Sequence, residues 1–208
     1  MTFTIVARDP ITRELGVATT TCLVGVGDVV PAAASGIAVV GCQAQIRPSS
    51  RAEILSCLGA GMSMKMAIES VLSDDPYASK RQILGIGAQH QPFVYTGSDV
   101  DTVCGAIMGE HHAVAGNLLA NSSVLHAMDM NFLSTPSEPL AQRMVRALLC
   151  GEQAGGDKRG RMSAALLLVE PTRRPLSLRI DYSDDPVRDL QTALMHRVSS
   201  GIDEAFNR

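Results

Sequence analysis

Thr2 stands directly behind the first methionine and opens a run of hydroxyl, aromatic and β-branched residues, Thr2-Phe3-Thr4-Ile5-Val6-Ala7. Removal of Met1 would give this threonine a hydroxyl and a free α-amine. An amine with a pKa near ~8 is a usable base at neutral pH, so it could take the hydroxyl proton while the oxygen attacks a carbonyl carbon. One residue would then be nucleophile and base. Threonine is also common behind an initiator methionine for reasons of processing alone, so position by itself leaves both readings open.

A tetrahedral intermediate formed on Thr2 needs hydrogen-bond donors where its oxyanion develops, each worth roughly 3 kcal/mol. Asn117, at a predicted strand end between Gly116 and an apolar run, is the first candidate; the alternative is an asparagine that satisfies neighbouring backbone. Gln43 and Gln45 are two apart on a predicted strand and should share one side, where they could orient Thr2 or a substrate amide. Arg47, Arg51, Arg159 and Arg161 lie in or beside glycine- or serine-rich loops, where a guanidinium can hold a substrate carboxylate. Arg161 is the preferred one, with Ser163 on the same side two residues later; the alternative is an ion pair with Asp157 or Asp181, and Asp157 could instead be a pocket group beside it. Gly155-Gly156 could turn backbone N–H groups towards an anion, and Asp9 and Asp28 could tune the Thr2 amine. His111-His112 would point to opposite faces of a strand with no third ligand at metal spacing, so no metal and no cofactor are expected.

The elements that must position these residues follow from pattern. Phe3–Ala7 and Gly16–Thr21 read as a hairpin around Asp9-Pro10, and Gly36–Gln45 as a strand covered on both faces. Ser50-Arg51-Ala52-Glu53 has capping-box spacing before a helix to about Leu58, and Ser63 caps a second helix with Met64, Ala67, Ile68, Val71 and Leu72 on one face. Strands are expected at Gln82–Ala88, Pro92–Thr96, Cys104–Met108 and Ala113–Leu119. A helix through Val124 and Phe132, another opened by Thr135-Pro136-Ser137-Glu138, a hairpin of Ser163–Val169 with Leu176–Ile180, and a last helix from Asp185-Pro186 complete the chain. Helices arriving in blocks between antiparallel strands predict an α+β fold, a four-layer α-β-β-α sandwich in a single domain over 1–208.

Composition bounds the function. The 208 residues carry a net charge of −3 without a basic, aromatic-rich surface, which argues against nucleic acid. No apolar run reaches spanning length, so a cytoplasmic protein with no membrane partner is expected. The five cysteines are widely spaced and mostly in apolar runs, as suits reduced core thiols.

Several stretches together resemble one family: Thr2–Pro10, Leu15-Gly16-Val17-Ala18, Val29-Val30-Pro31, the Gly36–Gln43 strand, Asn117 within Ala115–Ala120, Ala154–Leu167, and Asp184–Val187. They are similar to DUF1028, a family of bacterial and archaeal proteins of unknown function, over about Thr2 to Leu194. The resemblance implies an N-terminal-nucleophile hydrolase-like fold and transfers that superfamily's logic only to Thr2. Members often carry Asn-Pro followed by Tyr-Gly where Arg47-Pro48-Ser49-Ser50 stands here, and a polar residue where Met162 stands. The expectation is an amidohydrolase acting on a small-molecule amide, a carboxylate-bearing one being what the arginines suggest. A non-catalytic metabolite- or partner-binding protein on the same layers is the alternative, and self-association into a homo-oligomer is expected on general grounds.

Overall fold

A computed structural model describes residues 2–101 and 103–200. Strands β1 (Thr2–Arg8) and β2 (Leu15–Thr21) form the expected hairpin; a short helix α1 (Val26–Val29), β3 (Pro31–Ala34) and β4 (Ala38–Ala44) follow. Helices α2 (Ser50–Gly59) and α3 (Met64–Ser73) precede β5 (Arg81–Gly87), β6 (Phe93–Thr96), β7 (Gly105–Met108) and β8 (His112–Asn117). The chain continues through α4 (Ser123–Ser134), α5 (Leu140–Gln153), β9 (Ser163–Val169), β10 (Leu176–Ile180) and α6 (Pro186–Ser199).

All strand pairings are antiparallel. One sheet has six strands in the order β10-β9-β2-β1-β8-β7, and the other has four in the order β3-β4-β5-β6. Strand alternation gives each sheet two faces to bury. Phe3, Ile5, Ala18, Val114 and Leu166 of the six-stranded sheet pack against Met128, Met144, Leu148 and Leu190 of α4, α5 and α6. Ala38, Val40, Cys42 and Ile83 of the four-stranded sheet pack against Ile54, Leu58, Ile68 and Val71 of α2 and α3. Between the sheets lie Val6, Val17, Val39, Leu84, Ile86 and Val169. The four-layer α-β-β-α sandwich expected from element order is the arrangement found.

Local departures from expectation have identifiable causes. The Ser63 cap forms, its hydroxyl accepting from the Met66 N–H at 3.3 Å. The Ser50 capping box does not: α2 starts one residue early, and Glu53 is drawn away to Arg47 at 2.9 Å. Helix α5 begins at Leu140 behind Pro139 instead of at Thr135-Pro136. Leu23–Pro31 folds into α1 and then β3, pinned by Arg179 of β10, which ion-pairs with Asp28 and with Asp181 at 2.8 Å. No helix among the described residues is long and apolar enough to cross a membrane.

Candidate functional site

Thr2 occupies the first position of a central strand, paired in register with Thr21 of β2 on one side and Asn117 of β8 on the other. Ser163 of β9 pairs with Thr21 in turn. The four residues Ser163, Thr21, Thr2 and Asn117 therefore form one polar row across four adjacent strands, on the face turned towards the second sheet. Thr19 and Thr4 make a second row behind it, their hydroxyls 2.8 Å apart. The layer between the sheets is thus zoned: hydrocarbon at one end, hydroxyls and amides at the end where the chain starts.

From the opposing sheet two glutamines complete this zone. Gln43 accepts from the Thr4 hydroxyl at 2.6 Å and donates to Gln82 Oε1 at 2.7 Å, with longer contacts to the carbonyls of Thr2 and Ala115. Gln82 Oε1 also accepts from Asn117 Nδ2 at 3.0 Å, while its own amide nitrogen donates to Thr96 Oγ1, Gly105 O and Gly116 O. Buried amides persist where such partners exist, since an unmet donor or acceptor costs about 1–3 kcal/mol. Both sheets are cross-linked by this network. Gln82 is its hub, and it was not among the expected site residues: it opens the apolar run Ile83-Leu84-Gly85-Ile86, and only strand parity against Gln43 could have pointed to it.

Gln43 and Asn117 are each followed by a residue in the left-handed region, Ala44 at φ 67° and Leu118 at φ 53°. Such φ values are uncommon without glycine and collect where structure is held for function. At Ala44 the consequence is direct. The strand ends there, and Gln45 does not share a face with Gln43; it lies exposed in the following loop, its carbonyl held by Arg81. The expectation of a paired Gln43–Gln45 surface is corrected accordingly.

Beside Thr21 opens a cleft of about 220 Å3, lined by Phe3, Thr20, Thr21, Glu152, Gly155, Gly156, Asp157, Gly160 and Arg161. Thr2 itself is 6% exposed, and its hydroxyl donates to that of Thr21 at 3.3 Å. Residue Met1 lies outside the described residues.

The structure brings some of the expected residues to this cleft and spends others elsewhere. Asp157 accepts from the Cys22 N–H at 3.1 Å and the Arg159 N–H at 2.7 Å, and is ion-paired with the Arg159 side chain, so it organises its own loop. Arg161 does reach the cleft, but Nη1 is shared by Glu152 at 3.0 Å and Asp185 at 3.3 Å, not by Asp157 or Asp181. Ser163 holds the start of α1, donating to Leu23 O and accepting from the Val26 N–H. Arg47 binds Glu53 and the Val71 carbonyl on the α2–α3 side, and Arg51 binds the Pro31 carbonyl. Neither arginine lines the cleft. The N–H groups of Gly155 and Gly156 donate to Glu152 O and Gly151 O, closing the end of α5 instead of facing an anion. Asp9 caps its own turn at the far end of β1, and Asp28 is held by Arg179, whose hydrogen bonds keep its carboxyl below the usual range.

His112, buried at that far end, bonds Asp129 at 2.7 Å. Among the described residues no group of three or more His, Cys, Asp or Glu is placed to hold a metal. Burial pushes the Cys42 thiol up to about 12, as suits an unreactive core residue.

The model of a family of unknown function, DUF1028, matches residues 2–190. The chain belongs to the DUF1028 family. A DUF1028 protein from Silicibacter pomeroyi, solved by crystallography, is 30% identical, covers 94% of this chain and 85% of its own, and superposes with a TM-score of 0.88. An Anbu mutant from Hyphomicrobium sp. strain MC1 (15% identity, 97% and 96% coverage, TM-score 0.45) and Anbu, an ancestral beta-subunit, from Yersinia bercovieri (11%, 95% and 95%, 0.44) are more distant. No curated protein matches the sequence. The DUF1028 match spans the polar row, both glutamines and the cleft, so family membership covers every residue of the site described.

Proposed function

We propose that this DUF1028 protein is an amide-bond hydrolase acting on a small amide, with the Thr2 hydroxyl as nucleophile once Met1 has been removed. The supporting observation is the contact of Thr2 Oγ1 with Thr21 Oγ1, because Thr21 borders the 220 Å3 cleft and so links the strand's first hydroxyl to the space a substrate would fill. The Thr2 oxygen forms a bond to the amide carbon while the α-amine takes its proton. The amine leaving group departs with that proton, and water then cleaves the Thr2 ester. Asn117 spends one amide N–H on Gln82, and its second N–H is the remaining donor on this row for the oxyanion. Gln43 positions the strand through the Thr2 carbonyl.

The alternative, a non-catalytic binding protein on the same layers, draws on the internal pairing of Gln43, Asp157 and Ser163, whose polar atoms are engaged within the fold. The deciding experiment screens small amides and N-acyl amino acids against wild type and Thr2→Ala, with the intact mass of untagged protein measured alongside. Hydrolysis that disappears in Thr2→Ala, on protein lacking Met1, is the expected result. Activity unchanged in Thr2→Ala, or an intact Met1 on active protein, defeats the proposal.

A further inference from the structure

Most charged and N–H groups lining the cleft are already spent. Asp157 accepts at both oxygens from Cys22 and Arg159. Glu152 gives Oε2 to Arg161, and its Oε1 lies buried out of a ligand's reach. The N–H groups of Gly155, Gly156 and Gly160 donate to nearby carbonyls. Arg161 is different. Its side chain is 45% exposed, and both ion pairs it makes, with Glu152 and Asp185, use Nη1. Nε and Nη2 have no partner among the described residues, and together they form the side edge of the guanidinium, a fork that can meet a carboxylate through two parallel hydrogen bonds.

We infer that the cleft beside Thr21 is a carboxylate subsite, in which the Nε and Nη2 edge of Arg161 holds the carboxylate of a small amide substrate. Two features suit that edge to a ligand. The ion pairs on Nη1 order the side chain beforehand, so a ligand need not offset the whole of the roughly 2 kcal/mol of rotamer entropy that a free arginine carries. The neighbouring charges also balance: Arg159, Arg161 and Arg188 stand against Glu152, Asp157 and Asp185, so an incoming anion meets no excess of negative charge. One fork and a balanced surround match a single negative charge better than a phosphate dianion. The cleft, at about 220 Å3, is smaller than the roughly 300–1,000 Å3 of drug-sized pockets, which limits the carboxylate arm to a short chain. The Met162 N–H donates to the Thr21 carbonyl at 2.9 Å, which ties the residue after Arg161 to the strand neighbour of Thr2. The inference rests on the hydrolase reading for the amide and for the place of Thr2, whereas the carboxylate follows from Arg161 alone.

The test is made on the full chain carrying Thr2→Ala, so that binding is read without turnover. Pentanoate, pentanamide and pentylamine, matched in skeleton, are titrated at pH 7.5 by ligand-observed NMR, with inorganic phosphate as a competitor. Pentanoate should bind at least tenfold more tightly than pentanamide or pentylamine. Arg161→Lys, which keeps the charge and loses the fork, should weaken pentanoate at least fivefold, and Arg161→Ala should bring it within about twofold of pentanamide. Pentylamine or phosphate binding best, none of the ligands binding, or pentanoate unaffected by Arg161→Ala overturns the inference. The ranking on the Thr2→Ala chain decides the matter alone if the Arg161 variants do not fold. Hydrolysis of uncharged amides that disappears in Thr2→Ala, with no pentanoate binding, would sink the subsite and leave the Thr2 mechanism standing. Pentanoate binding that needs Arg161, in a protein whose amide hydrolysis survives Thr2→Ala, would do the reverse.

Discussion

Replacing Gln82 with leucine would leave Nδ2 of Asn117 without its acceptor and Nε2 of Gln43 with only its long carbonyl contacts. Two weakened donors in a fully buried site should cost about 2–4 kcal/mol, read as a lower urea midpoint at unchanged slope. A fall in stability below about 0.5 kcal/mol would show that the network is not the tie between the sheets. Ala44 makes an opposite prediction. Its left-handed conformation costs an L-residue roughly 1–2 kcal/mol, and glycine returns part of that as lost chain entropy. Ala44→Gly should therefore be neutral or stabilising by up to about 1 kcal/mol in the same assay. These two residues also mark what the sequence could reveal. Gln43 stood out as a polar break in an apolar run, whereas the left-handed turn at Ala44, which sends Gln45 away, has no signal in an alanine.

Among the elements, the junction of β6 with the turn before β5 is the least forgiving. A Cβ on Gly97 would lie 2.2 Å from the Ser79 carbonyl oxygen and 2.4 Å from its carbon, both backbone atoms that no rotamer change can move. Gly97→Ala should cost about 1–3 kcal/mol, which for a domain of 150–250 residues lowers Tm by roughly 2–4 °C per kcal/mol. Calorimetry showing no change would mean the turn can shift as a unit. The fifth strand was legible as a short apolar run, as befits a strand buried on both faces: Ile83 faces α3 while Leu84 and Ile86 face the other sheet. The ends of helices were less so. Glu53 has capping-box spacing, but an arginine on the preceding loop competes for it more strongly than a backbone N–H does. Helix α1 was unreadable for a similar reason, being held by Arg179 and Asp28, which lie 151 positions apart.

At the level of the whole molecule, the buried pair of Asp75 and Arg81 joins the end of α3 to the start of β5. Hydrogen bonds from Arg81 hold the Asp75 carboxyl below its ordinary value of 3.8. A depressed folded pKa contributes stability that is present above the unfolded value and lost as pH falls through the folded one. The urea midpoint should therefore fall as the solution is taken below about pH 4. Asp75→Asn should cost about 3–5 kcal/mol at pH 7 by stranding the Arg81 charge, and should flatten that acid limb. An unaltered limb would assign it to other carboxylates. The layer order itself was the most legible property of the chain, since blocks of helices between antiparallel strands leave few ways to bury every apolar face. Synthesis order adds a last consequence. Thr2 lies between Thr21 and Asn117, and the second of these neighbours is made 115 residues after it. At roughly 5–20 residues per second, the leading strand waits on the order of ten seconds before its second flank can be zipped shut. Any peptidase that trims ahead of Thr2 has that interval in which to work on an open edge.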